Sequence, residues 1–211
     1  MQIPEIKICG LISEEDIGLV NQYDVAYTGM VLFYEKSKRN ISLEKAKHLL
    51  RLLRSDIKPV AVTVSPTPEQ IREIEAAGFS YLQIHGVLSD EVLQTATLPI
   101  FRAFNMADAG QPSLEAGNEK IVAYLFDGKV PGGGKVFDWS LAKDFLAAQS
   151  GNKKMILAGG LTASNVADGI RILQPDIVDV SSAVEKDTGS GKDNEKIRLF
   201  VKAVQDVANI G

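Results

Sequence analysis

The chain is expected to be of the α/β class, folding as a single (β/α)8 barrel domain over residues 1–211. Eight short β-branched runs recur along it, longer segments of helical periodicity separate them, and glycine and polar residues cluster just after the runs;. Strands are predicted at Ile6–Cys9, Asp24–Phe33, Val60–Val64, Tyr81–His85, Ile100–Phe104, Ile121–Asp127, Met155–Ala158 and Ile177–Ser181. Helices are predicted at Glu14–Gln22, Leu43–Arg54, Thr67–Ala77, Ser89–Ala96, Ser140–Ala148, Ser164–Leu173 and Lys192–Ala208. Local chemistry supports several starts: acids follow Ser13, Pro68 follows Thr67, and Ser164-Asn165 offers a cap;. Asp108–Asn118, with its Gly and Pro, reads as a degenerate fifth crossover;. The unbroken apolar run Ile121–Phe126 suits a strand covered on both faces;. An open doubly wound sheet has the same composition and is the alternative architecture.

Composition narrows the function classes. Apolar residues are 45% and charged residues 24% of the chain, the balance of a globular domain and not of a disordered one;. No apolar run approaches the roughly 20 residues that span a bilayer, and the first residues lack the apolar block of a secretion signal;. The expectation is a cytoplasmic protein with no membrane partner. A net charge of −4 without a basic run argues against nucleic-acid binding;. The single cysteine, Cys9, has no partner for an internal disulfide, so its thiol is available for chemistry;. Asn40-Ile41-Ser42 matches a glycosylation sequon, an accidental match without a secretion signal;. A monomer is the default expectation, with a dimer possible if an apolar patch is exposed.

In a barrel, chemistry belongs at the carboxyl ends of the strands. The first strand ends in Lys7-Ile8-Cys9-Gly10. By residue type an isolated cysteine is a small buried hydrophobe, but one at a strand end beside a glycine is placed to act as base or nucleophile;. The sixth ends in Asp127, next to Gly128. Such an aspartate commonly caps a turn, whereas a carboxyl facing a barrel mouth can be desolvated, kept protonated and used as an acid;. Gly132, Gly133 and Gly134 follow; without P-loop spacing they suit a closing loop or a close backbone approach to a ligand;. Gly159-Gly160 and Ser181-Ser182-Ala183 follow strands seven and eight, where barrels build phosphate sites;. Arg39 can grip a carboxylate if its charged loop folds inward, a direction the sequence does not reveal;. Lys7, His85 and Asp179 complete the pocket candidates, although His85 could equally be a structural histidine;.

The order of these motifs, over nearly the whole chain, resembles that of the phosphoribosylanthranilate isomerase family. The stretches that carry the resemblance are Lys7–Gly10, Phe33–Arg39, Gln83–Gly86, Asp127 leading to Gly134–Trp139, Leu157–Leu161, Asn165-Val166, Val178–Ser182 and Gly191–Asp193. The resemblance implies an Amadori rearrangement of N-(5′-phosphoribosyl)anthranilate to 1-(2-carboxyphenylamino)-1-deoxyribulose 5-phosphate in tryptophan synthesis. It implies Asp127 as the acid, Cys9 as the base, Arg39 as partner of the anthranilate carboxylate, and the loops at Gly159, Gly160, Ser181 and Ser182 as the phosphate site. No metal or organic cofactor is implied, because the substrate's iminium serves as electron sink. The sequence departs from the family at Pro131–Gly134, which lacks a hydroxyl, at Ala183, where the family has glycine, and at Thr63, where an aromatic residue is common.

Competing readings are a degenerate barrel that only binds a sugar phosphate, and a related aldose–ketose isomerase acting on another substrate. The presence of both Cys9 and Asp127 speaks against the first. The bifunctional histidine and tryptophan enzyme is expected to carry aspartate in place of Cys9. A metal-dependent epimerase is disfavoured by a chain with only His48 and His85, the former inside a helical pattern;.

Overall fold

A computed structural model of the protein describes residues 2–105, 118–127 and 153–207. Eight parallel strands close into a barrel in sequence order, with β8 pairing back onto β1. They are β1 (Glu5–Cys9), β2 (Tyr27–Val31), β3 (Lys58–Val64), β4 (Tyr81–His85), β5 (Ile100–Asn105), β6 (Ile121–Asp127), β7 (Lys154–Ala158) and β8 (Ile177–Val180). Around them lie α1 (Glu14–Val20), α2 (Leu43–Leu50), α3 (Pro68–Ala77), α4 (Asp90–Thr95), α5 (Val166–Leu173) and α6 (Asn194–Gln205). The expected helix at Ser140–Ala148, most of the fifth crossover and the triple glycine fall outside the described residues. No helix among the described residues is long and apolar enough to cross a membrane.

Two periodicities build the core. Along each strand alternate residues point inward, where Tyr27, Val31, Val60, Val62, Phe101, Ala123, Leu125, Ile156 and Ile177 form one apolar cluster;. The intervening residues, among them Ile8, Met30, Ala61, Leu82 and Phe126, pack against the helices in a second. Apart from inward polar residues on β1, β4 and β8, both sets are largely apolar, which is why a strand such as β6 reads as a continuous run;. Tyr27, Tyr81 and Phe101 plug the amino-terminal end of the barrel, their ring centroids 4.8–5.5 Å apart. Water therefore reaches the interior from the carboxyl-terminal mouth, the end that carries the strand-end residues.

Local chemistry sets the boundaries, and in places it differs from the sequence expectation. The Thr67 hydroxyl accepts from Gln70 N, Gln70 reaches back to Thr67 N, and Pro68 fills the first turn, a complete capping box;. Strand β2 is shorter than expected: irregular backbone with a bend at Ala26 precedes it, and beyond it Phe33 takes a positive φ of 57°;. The capping expectation at Ser164-Asn165 needs correction: Ser164 pairs with the Thr162 hydroxyl, and the Asn165 side chain makes no cap bond. It binds Thr162 N and Gly160 O instead, tying down the loop after β7. The last helix begins at Asn194, because Asp193 caps it by accepting from Lys196 N;. Lys192 is thereby left as a buried residue just ahead of the helix.

Candidate active site

At the carboxyl ends of the strands opens a cavity of about 560 Å³, the size of a small-molecule site;. Cys9 from β1, His85 from β4, Asp127 from β6, Gly159 and Gly160 after β7, and Ser181 and Ser182 after β8 all line it. Arg39, from the loop after β2, lines it too. The inward fold of that loop has a local cause: Asn40 accepts from Tyr34 N through its side chain, while Ile41 N donates to Val31 O. Arg39 then crosses over Gly10, whose φ of +81° suits glycine and where an added Cβ would collide with the arginine side chain;.

Cys9 is 9% exposed and packs against Gly29, its partner on β2; a Cβ at Gly29 would lie 2.7 Å from Sγ. Its backbone carbonyl accepts a 3.0 Å hydrogen bond from the Ser181 hydroxyl, joining the first strand to the last. Burial pushes the Cys9 thiol above its ordinary range; the Lys7 and Lys192 ammonium groups oppose that rise, and the Asp179 carboxylate adds to it;. Both ammonium groups favour the ionised form of the thiol, and sequence reading did not identify them as its neighbours. His85 is brought down to about 4, by burial first, with Lys7 and Arg102 adding and Asp127 opposing. It is therefore neutral across the working range, and it lies 2.8 Å from Gln83 Nε2.

One pocket expectation is corrected. Lys7 does not line the cavity: it is fully buried one layer below Cys9, and its Nζ donates to Asp179 Oδ2 at 2.8 Å. Inward alternation on β1 and β8 puts both side chains in the barrel interior, where each neutralises the other;. Ala183 sits in the short 3-10 helix Ser182–Val184, and its methyl packs against the outer core. It does not have a positive φ, so the family's glycine is not required there for conformation. Asp179 does line the cavity, while Gly132, Gly133 and Gly134 lie outside the described residues. Among those residues no group of three or more His, Cys, Asp or Glu side chains could hold a metal ion, and His48 pairs with Glu14 on the surface.

Two contributors were missed by sequence reading. Glu185 binds the Arg39 guanidinium through Nε and the Lys38 ammonium at 2.7 Å. Burial alone would raise its carboxyl, but the hydrogen bonds from Arg39 and Lys38 and the charge of Lys192 bring it to about 2. Lys192, fully buried, donates to Ser181 O at 3.1 Å and lies 3.7 Å from Glu185. Asp16 secures the segment by accepting from Lys192 N and Ile12 N, and Gly191 leaves room for that carboxylate. The only signal in the sequence was the Gly191-Lys192-Asp193 triplet.

A model of the family described as N-(5′-phosphoribosyl)anthranilate (PRA) isomerase matches residues 6–203 of the chain. The chain belongs to this family. The N-(5′-phosphoribosyl)anthranilate isomerase of Clostridium kluyveri is 35% identical over 205 residues, covering 96% of this chain and 98% of that protein. The solved phosphoribosyl anthranilate isomerase of Thermotoga maritima superposes with a TM-score of 0.83 at 29% identity, over 96% of this chain and 98% of that one. A structure of the family's isomerase in complex with reduced 1-(o-carboxyphenylamino)-1-deoxyribulose 5-phosphate matches with a TM-score of 0.80 at 27% identity, over 96% and 98%. The closed barrel is thus the family's architecture, and a phosphorylated ligand occupies one member of it.

Proposed function

We propose that the chain is the phosphoribosylanthranilate isomerase of a tryptophan pathway, a one-domain barrel converting N-(5′-phosphoribosyl)anthranilate to 1-(2-carboxyphenylamino)-1-deoxyribulose 5-phosphate. One observation carries the residue assignment: Cys9 and Asp127, from strands on different sides of the barrel, line a single cavity with Arg39. Asp127 protonates the ribose ring oxygen, and the ring opens to a Schiff base. The iminium acidifies the proton on C2′, Cys9 removes it, and the resulting enolamine becomes the aminoketose. The electron sink belongs to the substrate, so the scheme needs no metal or organic cofactor. Arg39 holds the anthranilate carboxylate, and the loops at Gly159-Gly160 and Ser181-Ser182 hold the phosphate with backbone amides. Ala183 offers this site its backbone only. A reduced thiol suits the cytoplasm. A monomer is the default assembly.

The test is the loss of anthranilate fluorescence on addition of enzyme, with chelator leaving the rate unchanged. Cys9→Ser and Asp127→Asn are each expected to lower kcat by about 10²- to 10⁴-fold in folded protein. Full activity in either variant refutes its role, and binding of the product without turnover by the unmodified chain identifies a degenerate barrel.

A further inference from the structure

Asp127 is not the only carboxyl on the cavity wall: Asp179 lines it as well. Asp179 is 7% exposed, and the Lys7 ammonium holds its Oδ2 at 2.8 Å. Its Oδ1 is buried and has no hydrogen-bond partner among the described residues. Leaving a buried carboxylate oxygen unpaired is costly, and because Asp179 borders the cavity a ligand is placed to bring the missing donor;. The register defines where that donor must lie. Asp179 stands opposite Lys7, and the next inward residue on β1 is Cys9;. The carbon deprotonated by Cys9 is C2′, and C2′ also bears a hydroxyl.

Resting on the isomerase reading above, we propose that Asp179 is a third catalytic residue, which accepts the C2′ hydroxyl proton as the enolamine becomes the ketone. The electron pair of that O–H bond becomes the second bond of the C2′ carbonyl. The C1′=C2′ pair takes a proton at C1′ from the Cys9 thiol, which carries the one removed from C2′. The hydroxyl proton passes to Asp179. Asp127 has given one proton to the ring oxygen and Asp179 has gained one, so the transfer of a single proton between them through solvent resets the enzyme. No oxidant or reductant enters. Burial raises the Asp179 carboxyl above its ordinary range against the pull of Lys7, and the charge of Asp127 raises it further, which makes it a better base;. Lys7 acts as a positioning residue. Burial disfavours its charge, but the Asp179 carboxylate more than offsets this, so its affinity for the proton is raised.

Asp179→Asn is the direct test, run in heavy water with recovered substrate and product analysed by mass spectrometry. The expected result is product formation slowed about 100-fold, while recovered substrate gains deuterium at C2′ faster than product forms, because the stalled enolamine is reprotonated. A folded variant that keeps at least half of kcat, or one slowed without labelling of substrate, overturns the proposal. Because Asp179→Asn strands the buried Lys7 charge, the double variant Lys7→Met/Asp179→Asn, which removes both charges, is measured in the same way if the single variant does not fold. Absence of conversion by the unmodified enzyme would instead refute the isomerase reading itself.

Discussion

At the scale of single residues, the reaction turns on how the barrel alters the acidity of its side chains. Burial raises the Cys9 thiol above its ordinary range, which disfavours the thiolate;. The value of kcat/KM is therefore expected to climb as pH rises toward the thiol's titration. His85, held down to about 4, should add no inflection in the neutral range;. A pH–rate profile checks both, and a His-like break near pH ~6.5 would contradict the neutral assignment. The positions of Cys9 and Asp127 at strand ends were legible from the sequence, because a residue that follows an apolar run sits at the barrel mouth. The ammonium groups near the thiol were not. Lys7 read as a pocket residue, and Lys192 read as the start of a helix. Nothing in sequence spacing says that a long cationic side chain will be buried where a distant carboxylate meets it;.

At the scale of elements, all eight predicted strands are present, and the expected termini differ where a turn or a cap competes with the regular pattern. Phe33 illustrates the limit: its apolar character extends the strand pattern, but its positive φ ends β2 before it. Asn165 illustrates another. A cap-forming residue before a helix was expected to serve that helix, yet its side chain braces the Gly159-Gly160 loop. Asn165→Ala should therefore leave the thermal midpoint nearly unchanged while raising KM for the phosphorylated substrate about tenfold, the equivalent of roughly 1.4 kcal/mol. Steady-state kinetics beside a melting curve decides this; an unchanged KM would remove the loop from the phosphate site.

At the scale of the whole molecule, ends of the chain far apart in sequence are joined at the mouth. Glu185, after β8, holds Lys38 and Arg39, after β2. Its carboxyl lies near 2 in the folded protein against an ordinary 4.5, so its stabilising share is present above pH 4.5 and is lost as pH falls through 2;. Glu185→Gln is expected to flatten the acid branch of the stability curve between those values. The same variant should raise KM with little change in kcat, because Arg39 loses its brace but not its charge. Acid titration followed by circular dichroism and substrate kinetics tests both arms, and an unaltered KM would show that Arg39 is oriented without Glu185. The chain by itself determined the class of fold, the number and order of the strands, and which residues follow each strand end. These follow from local periodicity and from the apolar character of both strand faces. Closure of β8 onto β1 decided the rest. It set Lys7 against Asp179 across 172 positions, left one carboxylate oxygen unpaired, and placed Glu185 where it turns Arg39 inward. Such pairings depend on strand register and on burial, which arise only when the two ends of the sheet meet.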